Sequence, residues 1–457
     1  MLNFNATSRR IRFWWHLSLA YFKKYQLRFA VVSIVTVSLL YFFYTLAPNI
    51  VRNNLVTIGF VGSYKIEDIP TEALALVTQP LVKADDSGKS IPALASNWTV
   101  SEDGKSYILF LRDNITWHDG SAVEAKDISL SIKGVEIHAV NNKTIQFTLP
   151  NPISSFPLAL DTPVFKSKSF YGTGNFRIVD ISQTADIVKR IVLHPKDDTL
   201  PKVELRFYPN DAQAINALKI GEIKVLTASA LSTIENWKNI NIKKTAEKKE
   251  TVTVFFNNSD DLLSAKDVRQ ALAYAIRKDD FDGELVGGPI SLGSWAYNHQ
   301  LKKYEYNGAR AKELLQDAQV KNPKINLSYS PDLKILAESI KEDWEALNIK
   351  VELKEEKGVP KDFQAFLAVN KLPKDPDQYA MWHSTQTETN ITKYKNVKID
   401  KLLEDARVAK NDEERKQYYL DFQKFLADDA PAIFLYHPNK YQAIYKNVQP
   451  LYDKLEL

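Results

Sequence analysis

The chain has 457 residues, about three times the length of a typical single domain, and 44% of them are hydrophobic, which excludes disorder as its overall state. It has no cysteine and only 15 glycines, which excludes disulfides, thiolate metal sites and cysteine nucleophiles and argues against glycine-rich nucleotide loops. The formal charge of +4 is confined to Arg9, Arg10, Arg12, Lys23, Lys24 and Arg28; beyond them 54 basic residues face 56 acidic ones, so the folded part lacks the basic surface of a nucleic-acid binder.

Phe29 to Leu46 is an uncharged apolar run of eighteen residues. At ~1.5 Å per residue it reaches ~27 Å, the thickness of a hydrocarbon core. The run exceeds the apolar part of a signal peptide, about 7–15 residues, and Leu46-Ala47-Pro48 is a poor cleavage site. An uncleaved transmembrane anchor over 29–47 is expected, after a basic cytoplasmic segment 1–28 and before a linker 48–55. Six positive charges precede the run and only Arg52 lies close after it. The positive-inside rule then places the chain in the cytoplasmic membrane as a single-pass protein, N-terminus inside and bulk extracytoplasmic. Trp14, Trp15, Tyr21 and Phe22 among the basic residues suit the headgroup layer.

Strand-like segments follow at Leu55–Val61, Tyr107–Leu111, Val135–Ala139, Thr144–Leu149, Arg190–Leu193, Val203–Tyr208 and Thr251–Phe256. Asn141-Asn142 between the third and fourth reads as a hairpin turn. From Ser264, a plausible N-cap, the period becomes helical, with Val268, Ala271, Leu272, Ala275 and Ile276 on one face. Leu333 to Leu347 repeats that pattern, Ile349, Val351 and Leu353 alternate as a strand, and two helices cover Ile399–Ala409 and Glu413–Ala427. Pro431 ends the last, and Ala432–Tyr436 is an apolar strand. Interleaved helices and strands define a mixed α/β protein.

Catalytic signals are weak. The outer histidines are isolated, no H-E-x-x-H or G-x-S-x-G occurs, and Gly172-Thr173-Gly174 lacks phosphate-loop spacing. Asp375 and Asp377 read as loop and capping groups rather than an acid/base pair. Trp344 lies on an apolar helical stripe and reads as core; Trp382, in Met381-Trp382-His383-Ser384-Thr385, has a polar setting where a core role and a binding role are equally natural.

Several segments keep a common order: Pro92-Ala93-Leu94-Ala95-Ser96-Asn97-Trp98, Trp117-His118-Asp119-Gly120-Ser121, Ala125-Lys126-Asp127-Ile128, Gly172-Thr173-Gly174-Asn175-Phe176, Phe255-Phe256-Asn257-Asn258, Asp267-Val268-Arg269-Gln270-Ala271-Leu272, Asp375-Pro376-Asp377 and Pro431-Ala432-Ile433-Phe434-Leu435-Tyr436. Together they resemble solute-binding protein family 5, the peptide-, oligopeptide- and nickel-binding receptors of ABC importers. The departures are Asn175 in place of a usual Pro and Lys224 where an Asp is common.

The resemblance implies a two-lobed periplasmic-binding-protein-like α/β fold of type II, with a hinge between the lobes. Lobe I would span 56–252 with 431–457 returning to it, and lobe II 253–430. It implies a non-enzymatic receptor, without cofactor or metal, that captures a peptide or similar small solute and delivers it to ABC permease subunits. A ligand-binding sensor or scaffold that kept the fold without transport is the alternative. A monomer is expected. Trp117-His118-Asp119-Gly120 is a structural turn in the family, and Ala125-Lys126-Asp127-Ile128 is expected to start a helix. Expected cleft contacts are Tyr64, Asn257, Trp382 and Ser384, with Trp382 stacking on the ligand. Peptide-binding relatives hold the ligand's α-amino group with an Asp whose position aligns near Asn370, so weak selectivity for a free N-terminus is expected.

Overall fold

The computed structural model describes residues 14–15, 21, 23–26, 28, 31–39, 41–42, 54–279 and 281–456. One twelve-stranded sheet runs through the molecule in the order Lys350–Glu355, Lys324–Tyr329, Ala365–Lys371, Glu250–Phe256, Ala432–Tyr445, Val225–Ala228, Leu55–Val61, Lys202–Tyr208, Ile187–Pro195 and Phe176–Thr184. Ile240–Ala246 and Gly283–Leu285 pair with Ala432–Tyr445 off this path. A separate four-stranded sheet comprises Ala95–Val100, Ser106–Leu111, Thr144–Thr148 and Glu136–Asn141.

The apolar runs become central strands because both of their faces are covered. Leu55–Val61 lies parallel to Lys202–Tyr208 and to Val225–Ala228. In Glu250–Phe256, Val254 and Phe256 point into a core with Leu272, Ile325 and Trp344, while Phe255 points the opposite way into a core with Phe366, Tyr419 and Phe434. That is the two-residue alternation of a strand. Two more cores serve the other half of the molecule, one around Val56, Leu205 and Leu226 and one around Leu109, Trp117 and Phe147.

The long strand Ala432–Tyr445 joins the two halves. Its first residues pair with Val252–Phe255, and Asn439–Tyr445 pairs with Ile240–Ala246. The connection Glu247–Lys249 runs beside it, with the Glu247 amide donating to the Pro438 carbonyl at 2.8 Å. Two adjacent crossings therefore link the lobes. The apolar signal had marked only Ala432–Tyr436; the strand continues past Pro438 because that proline sits where the pairing partners change, so its missing N–H breaks no ladder.

Two local expectations are corrected and two helices are added. Ser264 is not the N-cap of the helix Lys266–Ala275: Ala265 holds that position, and the Ser264 hydroxyl donates to the Asp261 carbonyl at 3.1 Å. Ala125–Asp127 is one 3₁₀ turn rather than a helix start, because Ile128 leaves it extended to bridge Lys166. The helices Asp211–Lys219 and Gly308–Asp317, absent from the sequence reading, are each capped by an asparagine, Asn210 and Asn307.

Residues 31–39 are helical, and among the described residues no helix is long and apolar enough to cross a membrane. Phe29, Ala30, Leu40 and 43–47 of the expected anchor lie outside the described residues.

Candidate ligand cleft

A cavity of about 850 Å³ lies beside the two crossings. The first lobe supplies Lys83–Gly88 and Asp161, the crossing supplies Thr245–Lys249, and the second lobe supplies Pro289–Ser291, Gly293, Ser294 and residues from Leu372 to Gln378. Its size falls within the ~300–1,000 Å³ of small-molecule sites.

The Lys83–Gly88 loop is a turn built by Asp85. Its Oδ1 accepts from the Ser87 amide and hydroxyl and the Lys89 amide at 2.8–2.9 Å. Burial opposes ionisation of Asp85, but these donors outweigh it and hold the carboxyl below its ordinary value. Gly88 closes the turn at φ +85°, and a Cβ there would lie 2.4 Å from the Lys374 carbonyl oxygen. Only glycine allows both the backbone conformation and that approach.

The lobes meet along the cavity. The Trp295 amide donates to the Ser87 carbonyl at 2.9 Å, and Ser154 donates to the carbonyls of Arg407 and Ala406 at 2.8 and 3.1 Å. Lys374 Nζ reaches Asp161 Oδ2 at 2.7 Å, and the same oxygen accepts from the Ala84 amide at 3.0 Å. This is a closed arrangement.

His437 is fully buried at the crossing. Its Nδ1 lies 2.7 Å from the Glu250 carbonyl oxygen and Nε2 accepts from the Leu292 amide at 3.4 Å, so the neutral ring ties the crossing to the segment whose Ser291 and Gly293 line the cleft. Burial pushes this imidazole below its ordinary value.

None of the five residues expected as contacts borders this cavity. Tyr64 is part-buried, donates to the Val61 carbonyl at 2.7 Å and meets Phe207 edge-on. Asn257 caps its own loop through Ser259 and borders a different, polar depression with Asp260 and Gln364. Trp382 has no exposed surface; it lies edge-on to Tyr394 and Phe434 in a core, with Nε1 unpartnered among the described residues. Ser384 is bound through its amide and hydroxyl to Asp400 at 2.8 and 2.5 Å. Asn370 sits opposite Thr251 in the sheet and directs its amide to the Met381 sulfur at 3.8 Å. The cleft residues Asp161 and Lys248 carried no sequence signal; Asp85-Asp86-Ser87-Gly88 did carry a turn signal, without indicating what the turn touches.

The two readings of Asp375 and Asp377 resolve geometrically. Asp377 accepts from the Tyr379 amide at 3.0 Å and from Arg407 at 2.8 Å, and Asp375 accepts from the Asp377 amide at 2.8 Å. Trp117-His118-Asp119-Gly120 is a turn: Gly120 N donates to Trp117 O at 2.9 Å. His118 Nδ1 accepts from Gly172 N and Nε2 contacts Gly174 O, each at 3.1 Å. A Cβ at Gly172 or Gly174 would lie 2.2 Å from the Val77 oxygen or 2.4 Å from the Leu76 oxygen, which explains both glycines.

Two lobes closed over a cavity at paired crossover strands define the class of binding proteins that enclose a solute by hinge motion. Residues 89–393 match the model of the bacterial extracellular solute-binding proteins, family 5 (middle region), and the chain belongs to this family. It is similar to the oligopeptide-binding protein AppA of Bacillus subtilis, 26% identical over 85% of this chain and 86% of the relative. The dipeptide-binding protein of Escherichia coli is 23% identical over 79% of this chain and 83% of its own length. Among solved structures, the ABC transporter substrate-binding protein CtaP of Listeria monocytogenes shares the fold, with a TM-score of 0.73 at 22% identity over 86% of this chain and 94% of that one.

Proposed function

We propose that this protein is an extracytoplasmic receptor that captures short peptides in the interlobe cleft and presents them to the permease of an ABC importer. The observation that carries the reading is the cavity of about 850 Å³ held between the lobes at the hinge crossings. The relatives' names, oligopeptide- and dipeptide-binding proteins, support peptides as the solute. The cycle is binding in an open form, closure over the ligand and docking of the closed form on the permease. The lobes divide within Glu247–Lys249 and near Pro438, where strand partners change. The protein acts as a monomer and does no covalent chemistry.

The anchor belongs to the same proposal. Val31, Val32, Ile34, Val35, Val37 and Leu39 of the helical residues 31–39 are all exposed, and a lipid phase would cover them. Lys23, Lys24 and Arg28 then lie on the cytoplasmic side. Mass spectrometry of small molecules co-purifying with the full chain from native membranes tests the receptor role. Peptides are expected; reproducible recovery of a non-peptide solute would overturn the peptide assignment, and no solute at all would favour a scaffold.

A further inference from the structure

Asp161 is the cleft carboxylate that the fold encloses, with its side chain 8% exposed. Its Oδ2 accepts from the Ala84 amide and from Lys374 Nζ across the lobe boundary, while Oδ1 takes no hydrogen bond among the described residues. Asp85, by contrast, is spent on the donors of its own turn, and Glu247 accepts from the Lys249 amide at 3.1 Å. Lys374 arrives at Asp161 on a short segment beyond the strand Ala365–Lys371. The Leu372 amide pins that segment to the Lys249 carbonyl at 2.7 Å, and the Lys374 carbonyl abuts Gly88. An ammonium on a flexible four-carbon stem is thus delivered to a nearly buried carboxylate inside the cavity.

We propose that Asp161 is an ammonium-binding site of the cleft and that Lys374 occupies it in the closed form as a tethered stand-in for a ligand amine. The inference rests on the peptide reading for its natural ligand, the free α-amino group. Two consequences follow from the geometry. The pair bridges the lobes without ligand: Asp161 is nearly buried, while Lys374, 39% exposed, reaches it from the solvent side of the cavity. It also removes the reward for a ligand amine, since any such group must displace Lys374 first. The receptor therefore does not discriminate free from blocked N-termini, and Lys374 sets that tolerance.

The test uses three proteins, wild type, Lys374→Gln and Asp161→Asn/Lys374→Gln, in thermal-shift titrations with a random tripeptide library and the same library N-acetylated. Wild type is expected to respond to both at concentrations within twofold. Lys374→Gln should require at least tenfold less of the free-amine library than of the acetylated one, and the double variant should lose that preference. A free-amine preference already present in wild type, or none in Lys374→Gln, overturns the proposal. Small-angle scattering of the ligand-free proteins reads the latch separately: wild type is expected to be compact and Lys374→Gln more extended, and identical curves overturn the latch. If no library stabilises any of the three, the peptide reading falls, and n-butylammonium decides the ammonium site. It should then stabilise Lys374→Gln and not the double variant; equal responses overturn the site.

Discussion

Arg415 grips Asp375 with both ends of its guanidinium: Nη1 donates to Oδ2 at 2.9 Å and Nη2 to Oδ1, while Nη2 also reaches the Tyr419 hydroxyl at 2.9 Å. Both partners are buried, at 5% and 9% exposure. The pair ties the loop that carries Lys374 and Pro376 to the helix Asp412–Asp429. Removing one member of a buried pair leaves the other charge uncompensated, a cost of about 3–5 kcal/mol. Arg415→Ala is expected to lose that much in urea unfolding. A loss below about 1 kcal/mol would give the pair no more weight than a surface bridge.

Gly88 sets how closely the lobes approach. Alanine there would meet the Lys374 carbonyl, a backbone atom that cannot rotate away, and would hold a φ of +85°. Gly88→Ala should therefore enlarge the radius of gyration of the ligand-free protein in solution scattering and weaken ligand binding at least tenfold. Unchanged scattering would mean the loop and the Lys374 segment do not meet in solution.

About half of the central sheet was legible from sequence: Glu250–Phe256 shows as a strand through its β-branched and aromatic residues, with Thr251 and Thr253 buried beside the valines, whereas Lys324–Tyr329, Ala365–Lys371, Val225–Ala228, Ile240–Ala246 and Phe176–Thr184 were not read as strands. The helix Asp211–Lys219 was not legible either, since it buries only Ala214, Ala217 and Leu218 and shows a weak stripe. The cleft was less legible still. Asp161 and Lys374 stand 213 positions apart, and no local pattern announces a pair made by lobe closure. The polar neighbours of Trp382 left core and cleft roles equally natural in the sequence; the short helix Tyr379–Trp382 turns the indole inward, while Ser384 is taken up by Asp400. What the ordered motifs did carry was the glycine pair at 172 and 174, whose spacing reflects contact with the backbone of Leu76 and Val77.

Acid should destabilise the protein through two imidazoles, His437 buried and His118 part-buried. Burial pushes His118 and His437 below the ordinary value, although carbonyl contacts to Gly174 and Glu250 oppose the shift. In each ring one nitrogen accepts a backbone N–H, from Gly172 and Leu292, which protonation forbids. The unfolded chain then binds more protons below about pH 6.5, so stability is full above that pH and falls as pH drops through the window beneath it. Urea unfolding from pH 7.5 to 5 should show this slope, and His118→Gln/His437→Gln should flatten it, leaving a remainder from His194, which burial shifts the same way. Equal slopes in both proteins would place the acid sensitivity elsewhere.

Trp382 allows the core and cleft roles of one residue to be separated. Its indole is enclosed by Tyr394, Phe434 and their neighbours and does not border the cavity. Truncating a buried tryptophan removes a large apolar surface and leaves a void, at about 3–5 kcal/mol. Trp382→Ala should therefore lower unfolding free energy by that amount. Trp382→Phe keeps an aromatic ring and deletes an Nε1–H that has no partner among the described residues, so it should be milder. A core role further requires that Trp382→Phe, at a temperature where it is fully folded, bind the co-purified ligand within threefold of wild type by calorimetry. If Trp382→Phe instead loses tenfold or more in affinity while keeping its stability, the indole reaches the ligand in an open form and belongs to the cleft.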